Sequence, residues 1–341
     1  MRDSYRRWLV HLAKLAVAAL IVIFLMRGDR LDLQATTSLF AETKTVVISL
    51  LLVVIGLLLT GLRWWLLMNC QEIGLPLRTV ANITFIGMFF GNILPGGAWS
   101  GDALRMAIVG RATRDKLEAG VLSIFVDRLM GIYSVFLIGL VALVVTLAGN
   151  GAPGLWENPS VRYLAYASAI VVVMVPVSAL LVLWGGRRST RLRHWLRTTT
   201  RFRWLARLVD SILRSIHLYR KNLRQVALAF FICLVAQTLV VFSLVMVAWA
   251  MGFTQLSAGS YYFAGSWTSL VNALPATPGG LGIGEAAFDQ ICHWLDTSSP
   301  GVAYGSVFLG FRIILYAGAL PGLPGLFFYN RQSNRQSKPT P

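Results

Sequence analysis

Charge is scarce in this chain. Of 341 residues only 13% are Asp, Glu, Lys or Arg and 56% are apolar, whereas a soluble globular domain carries about 25% charged residues. With a mean hydropathy of +0.65, a water-soluble fold is excluded. Cysteine is nearly absent: Cys70, Cys233 and Cys292 stand far apart without C-x-x-C spacing, which excludes a disulfide framework or a thiolate metal site. His11, His194, His217 and His293 form no H-x-x-x-H pair. Phosphate-binding glycine loops and Ser/His/Asp sets are missing as well. No metal and no cofactor are expected, and transport or binding is favoured over enzymatic chemistry.

What is present is long apolar sequence. A bilayer crossing takes roughly 20 apolar residues, and six segments qualify: 8–26, 45–68, 117–147, 163–184, 226–250 and 303–328. Two more, 81–95 and 260–275, run about 15 residues before a Pro/Gly cluster, too short for a full crossing. They read as re-entrant. The first segment carries Lys14 and lacks a small-x-small cleavage site, so it is expected to stay as a helix. The fold class is therefore an all-α polytopic membrane protein: about six full transmembrane helices plus two re-entrant helical hairpins.

The formal net charge is +17, but its distribution says more than its sum. Twenty-two of 31 Lys and Arg fall near the N-terminus (Arg2, Arg6, Arg7), at 105–116, at 187–224 and at 331–338. By the positive-inside rule those regions face the cytoplasm, both termini included, and the membrane is the bacterial inner membrane. Nucleic acid is not the expected partner of the 187–224 run, since juxtamembrane arginines beside anionic headgroups explain it.

One pattern occurs twice. Residues 92–103 read N-I-L-P-G-G-A-W-S-G-D-A and residues 272–286 read N-A-L-P-A-T-P-G-G-L-G-I-G-E-A. Each copy holds N-x-L-P, then G-G-x-x-x-G, then an acid; Arg128 follows Asp102 and Arg312 follows Glu285 at nearly the same distance. Asn92, Pro95, Gly96, Gly97 and Gly101 in the first copy, and Asn272, Pro275, Pro278, Gly279, Gly280 and Gly284 in the second, cannot continue a helix and form a break at each re-entrant tip. Residues 1–328 then make one transmembrane domain: repeat one at 45–147, a linking helix at 163–184, a basic loop at 185–225 and repeat two at 226–328, with a polar cytoplasmic tail at 329–341. Threaded by the basic segments, the repeats are upside down relative to each other, as in many secondary transporters.

Asp102, Asp127, Arg128, Glu285, Asp289 and Arg312 fall at membrane depth, where ionisable groups are costly and pair or line a pathway. Asp127 and Arg128 are adjacent and point to different sides of their helix. Pairs across the repeats are expected instead: Asp127 with Arg312, and Arg128 with Glu285 or Asp102. The acids could equally cap the second half-helices, and the arginines could clamp the repeats together.

The combination G-N-I-L-P-G-G-x-x-S-G-D-x-x-R, S-I-F-V-D-R-L-M-G and L-P-A-T-P-G-G-L-G-I-G-E resembles the flippase-like, lysylphosphatidylglycerol-synthase transmembrane family, over about 8–328. The resemblance implies lipid translocation, with Asp102, Arg105, Asp127, Arg128, Glu285 and Arg312 at the motif positions. It implies an anionic or phosphate-bearing membrane lipid as partner, its headgroup between the two re-entrant segments. No soluble aminoacyl-transfer domain follows, so lysylation is not expected. Two other functions stay open: a membrane enzyme on lipid or polyprenyl-phosphate substrates, and an accessory subunit of a lipid or glycan synthase. So does a homo-oligomer.

Overall fold

The computed structural model describes residue 23 and residues 31–94, 97–113, 116–149, 155–184, 213–275, 277–296 and 301–325. The expected crossing at 8–26 lies outside these apart from Ile23, as do Pro95, Gly96, most of the 185–225 loop and the tail. Among the described residues the regular structure is helical throughout.

The helices follow from the apolar runs and their interruptions. Asp32 caps α1 (Leu33–Ser38), accepting from the Gln34 and Ala35 amides at 2.7 and 3.1 Å. Repeat one comprises α2 (Thr43–Cys70), α3 (Leu77–Ile93), α4 (Ala98–Ala112) and α5 (Leu117–Ala148). The linking helix is α6 (Pro159–Trp184). Repeat two comprises α7 (Leu223–Ala250), α8 (Ala258–Asn272), α9 (Ile283–Leu295) and α10 (Gly305–Ala319). Among the described residues five stretches are long and apolar enough to cross a membrane: α2, α5, α6, α7 and Gly305–Gly325. The protein is a multi-pass, all-α membrane protein.

The helices α3, α4, α8 and α9 are 13 to 17 residues long, about 20–26 Å at 1.5 Å per residue, less than the roughly 30 Å of hydrocarbon. They pack as two antiparallel hairpins, α3 on α4 and α8 on α9. In the first, Gly101 meets the Gly87 carbonyl, where a Cβ would come within 2.1 Å, and Gly91 meets Gly97 and Ala98. In the second, Tyr261 and Phe288 stack at 6.3 Å and Asn272 faces Gly280 and Gly284.

Packing between the repeats is reciprocal. The leading helices α2 and α7 lie against each other, α8 lies on α5, and α3 lies on α10. One end of the molecule gathers the end of α2 and the starts of α5 and α7: Gln71 pairs with Ser215, Cys70 with Gln225, and Lys116 lies 3.9 Å from Glu72. At the other end Asn158 bonds the Trp294 carbonyl and the Asp32 amide bonds Ser306. The larger apolar core surrounds repeat two with Tyr261, Phe263, Phe288, Tyr304 and Phe308; a smaller one beneath repeat one holds Trp64, Ile83, Ile86, Ile108 and Ile124.

Candidate functional site

The two breaks that interrupt the hairpins touch. Gly279 lies so near the Asn92 carbonyl that a Cβ would stand 2.2 Å from the oxygen, and its φ of 58° also favours glycine. No headgroup fits between the breaks at that point. The expected charges gather on either side of it, in two centres of different character.

In repeat two the buried charges Glu285, Asp289 and Arg312 are all held by the protein. Arg312 on α10 reaches back to the break: Nε donates to Glu285 Oε1 at 2.5 Å, and Nη1 donates to the Gly279 carbonyl and to Tyr316 at 3.3 Å. Nη2 donates to Asn272 at 2.9 Å, and to the Gly280 carbonyl and Glu285 Oε2 at 3.1 Å each. Glu285 also accepts the Gly282 amide at 2.7 Å, capping α9. Arg312 is 3% exposed and Glu285 1%. Asp289 takes the Gly305 amide at 3.1 Å at the start of α10 and lies 3.6 Å from His293. Here the capping and clamping roles describe the geometry.

Repeat one is arranged otherwise. Asp102, in the second turn of α4, caps no backbone amide. It accepts Arg128 through Nε at 2.8 Å and through Nη2, and Arg105 at 3.3 Å. Asp127 accepts Arg105 Nη2 at 3.1 Å and, at 2.7 Å, Arg63 from α2. The expected Asp127 and Arg312 pair does not form: each acid binds the arginine of its own repeat, because the hairpin and the helix after it are neighbours in space. Arg105 does not snorkel to the surface with the basic segment that contains it; it is 7% exposed, its guanidinium 4.0 Å above the Trp64 ring, where cation–π attraction adds to the ion pairs.

Three guanidinium groups thus face two carboxylates. Four of these side chains are 3–10% exposed, while Arg128 is 37% exposed. Arg105 Nε and Asn92 Nδ2 find no acceptor among the described residues. Trp99, 65% exposed, stands beside Ala98, whose carbonyl accepts Arg128 at 3.4 Å. Arg63 was not among the sequence candidates. The signal available was a cation inside an otherwise apolar run of α2. A separate open groove of about 710 Å³ between α5, α7 and α8, lined by Val141, Val145, Leu234 and Tyr262 among others, contains no charged residue.

The family model described as lysylphosphatidylglycerol synthase TM region matches residues 11–322. The chain belongs to this family. Membership ties it to lipid metabolism or transport in a membrane. Searches of curated proteins and of solved structures give no match.

Proposed function

We propose that the protein binds a phospholipid or phosphate-linked lipid by its headgroup at the repeat-one cluster and carries it between leaflets. The observation that carries this reading is Arg128, a guanidinium held by a buried aspartate at membrane depth yet more than a third open. A charge exposed there needs a polar partner or water, and the planar fork of arginine matches a phosphate bidentately. The surplus positive charge behind it and the unpartnered Arg105 Nε favour an anion.

The transport reading also draws on the architecture. The reciprocal contacts are those a pseudo-two-fold axis produces, and the hairpins open toward opposite ends, α3 and α4 toward the Glu72 and Lys116 end, α8 and α9 toward the Asn158 and Trp294 end. We take the repeats as inverted, the hairpins as re-entrant, and the Arg111, Lys116, Arg220 and Arg224 end as cytoplasmic in an inner membrane. In this scheme repeat two, with Arg312 locked, is the fixed wall, and repeat one receives the headgroup. Lipid-facing side chains such as Ile93, Leu94 and Trp99, all exposed near the first break, keep the acyl chains in contact with apolar surface.

Proteoliposomes containing a fluorescent phosphatidylglycerol, with the outer leaflet bleached by an impermeant reductant, test it. Protein-dependent loss of the protected fraction is expected, and its absence across phosphate-bearing lipids would refute translocation.

A further inference from the structure

Arg63 lies outside the duplicated motif, and among the described residues of repeat two no cation makes a counterpart of its contact with the acid-bearing helix. It enters from α2, and its Nε and Nη2 both stand 2.7 Å from Asp127 Oδ1. The second Asp127 oxygen is taken by Arg105 at 3.1 Å, and the other arm of Arg105 reaches Asp102 only at 3.3 Å. Without Arg63 the cluster would be neutral, two arginines against two aspartates. With it, one positive charge is unbalanced, and Arg128 is the only cluster member whose side chain opens to the outside.

We propose that Arg63 is a specificity-determining residue: it supplies the surplus charge that makes Arg128 select an anionic headgroup over a zwitterionic one. The inference rests on the headgroup reading above. Arg63 need not touch the lipid. By holding Asp127 it limits the share of Arg105 that the acid can draw, and Arg105 in turn shares Asp102 with Arg128. A buried charge is poorly screened, so its field is felt at the open end of the network.

A merely structural Arg63 would also bind Asp127, so the test follows charge rather than contact. Arg63→Gln leaves the cluster neutral, Asp127→Asn leaves a surplus of two, and the double variant restores a surplus of one. The purified full-length protein is equilibrated with equimolar phosphatidylglycerol and phosphatidylcholine in detergent, and the bound ratio is read by native mass spectrometry. The wild type is expected to favour phosphatidylglycerol. Arg63→Gln should lower the ratio on the order of tenfold, the effect of one unit charge over about 10 Å at an effective dielectric constant of about 20. Asp127→Asn should raise it, and the double variant should return to the wild-type ratio.

A ratio unchanged in Arg63→Gln, or a double variant that stays low, overturns the role of Arg63 while leaving the headgroup site standing. A wild type without preference overturns the headgroup site and this role with it. Should Arg63→Gln fail to fold because Asp127 loses a partner, the double variant against Asp127→Asn carries the same comparison, with the same expected drop.

Discussion

Arg128 binds the Asp102 carboxylate through Nε at 2.8 Å across 26 residues of chain, and still leaves 37% of its side chain open. Glu285 and Arg312, 27 residues apart, repeat the pairing with the opening closed. The two copies of the motif share the bond but not its exposure: one is accessible, the other is buried against the break.

Arg312 should accordingly behave as a structural residue. Arg312→Gln strips a buried carboxylate of its cation and frees two break carbonyls, a loss of about 3–5 kcal/mol. Arg312→Lys keeps the charge but cannot replace a three-nitrogen fork and should fall between. Thermal unfolding in detergent, followed by fluorescence-detected size exclusion, gives the order wild type, Lys, Gln.

Arg128→Gln should unfold close to the wild-type temperature, within about 1–2 kcal/mol, because a partly exposed pair contributes little and Asp102 retains Arg105. Arg128→Lys should bind lipid more weakly than wild type, having lost the planar fork. Equal headgroup retention by Arg128→Lys and wild type would argue against bidentate recognition.

Gly279→Ala places a methyl group against the Asn92 carbonyl at a positive φ. It should destabilise by about 1–3 kcal/mol through strain and the parting of the two breaks. Gly97→Ala, with positive φ but open space around it, should cost less, since strain alone acts there. The two unfolding midpoints, measured side by side, check the difference.

The proposed inverted arrangement requires α7 to cross the membrane. Single cysteines at Lys221 and at Gly252, in an otherwise cysteine-free protein, should label from opposite sides of sealed vesicles, since they flank α7 at its two ends. Labelling of both from one side would contradict α7 as a crossing.

Much of this was legible in the sequence. Apolar run length located the five described stretches long enough to cross a membrane, and the doubled motif marked both breaks and the four charges Asp102, Arg128, Glu285 and Arg312, of which only the Asp102 and Arg128 pair was among the expected partners. Partner choice was less legible: Asp127 was expected to meet Arg312 and instead meets Arg63 and Arg105. Contacts between helices 64 residues apart depend on rotation about their axes, and α2, apolar nearly all round, shows no periodic face that would fix it. The contrast between Glu285 as a cap and Asp102 as a network member was hidden for a related reason. One stands three residues into its helix, in the first turn, and the other five, in the second.

In the proposed function Arg128 holds a headgroup during its passage between leaflets. Its most direct measurement is the initial rate at which fluorescent phosphatidylglycerol crosses in proteoliposomes, compared between wild type and Arg128→Gln at equal reconstituted amounts and equal thermal stability. The expected result is protein-dependent flux in the wild type and a loss of at least about tenfold in the variant, the equivalent of one missing charge-assisted contact. Equal flux from folded wild type and folded Arg128→Gln would contradict it.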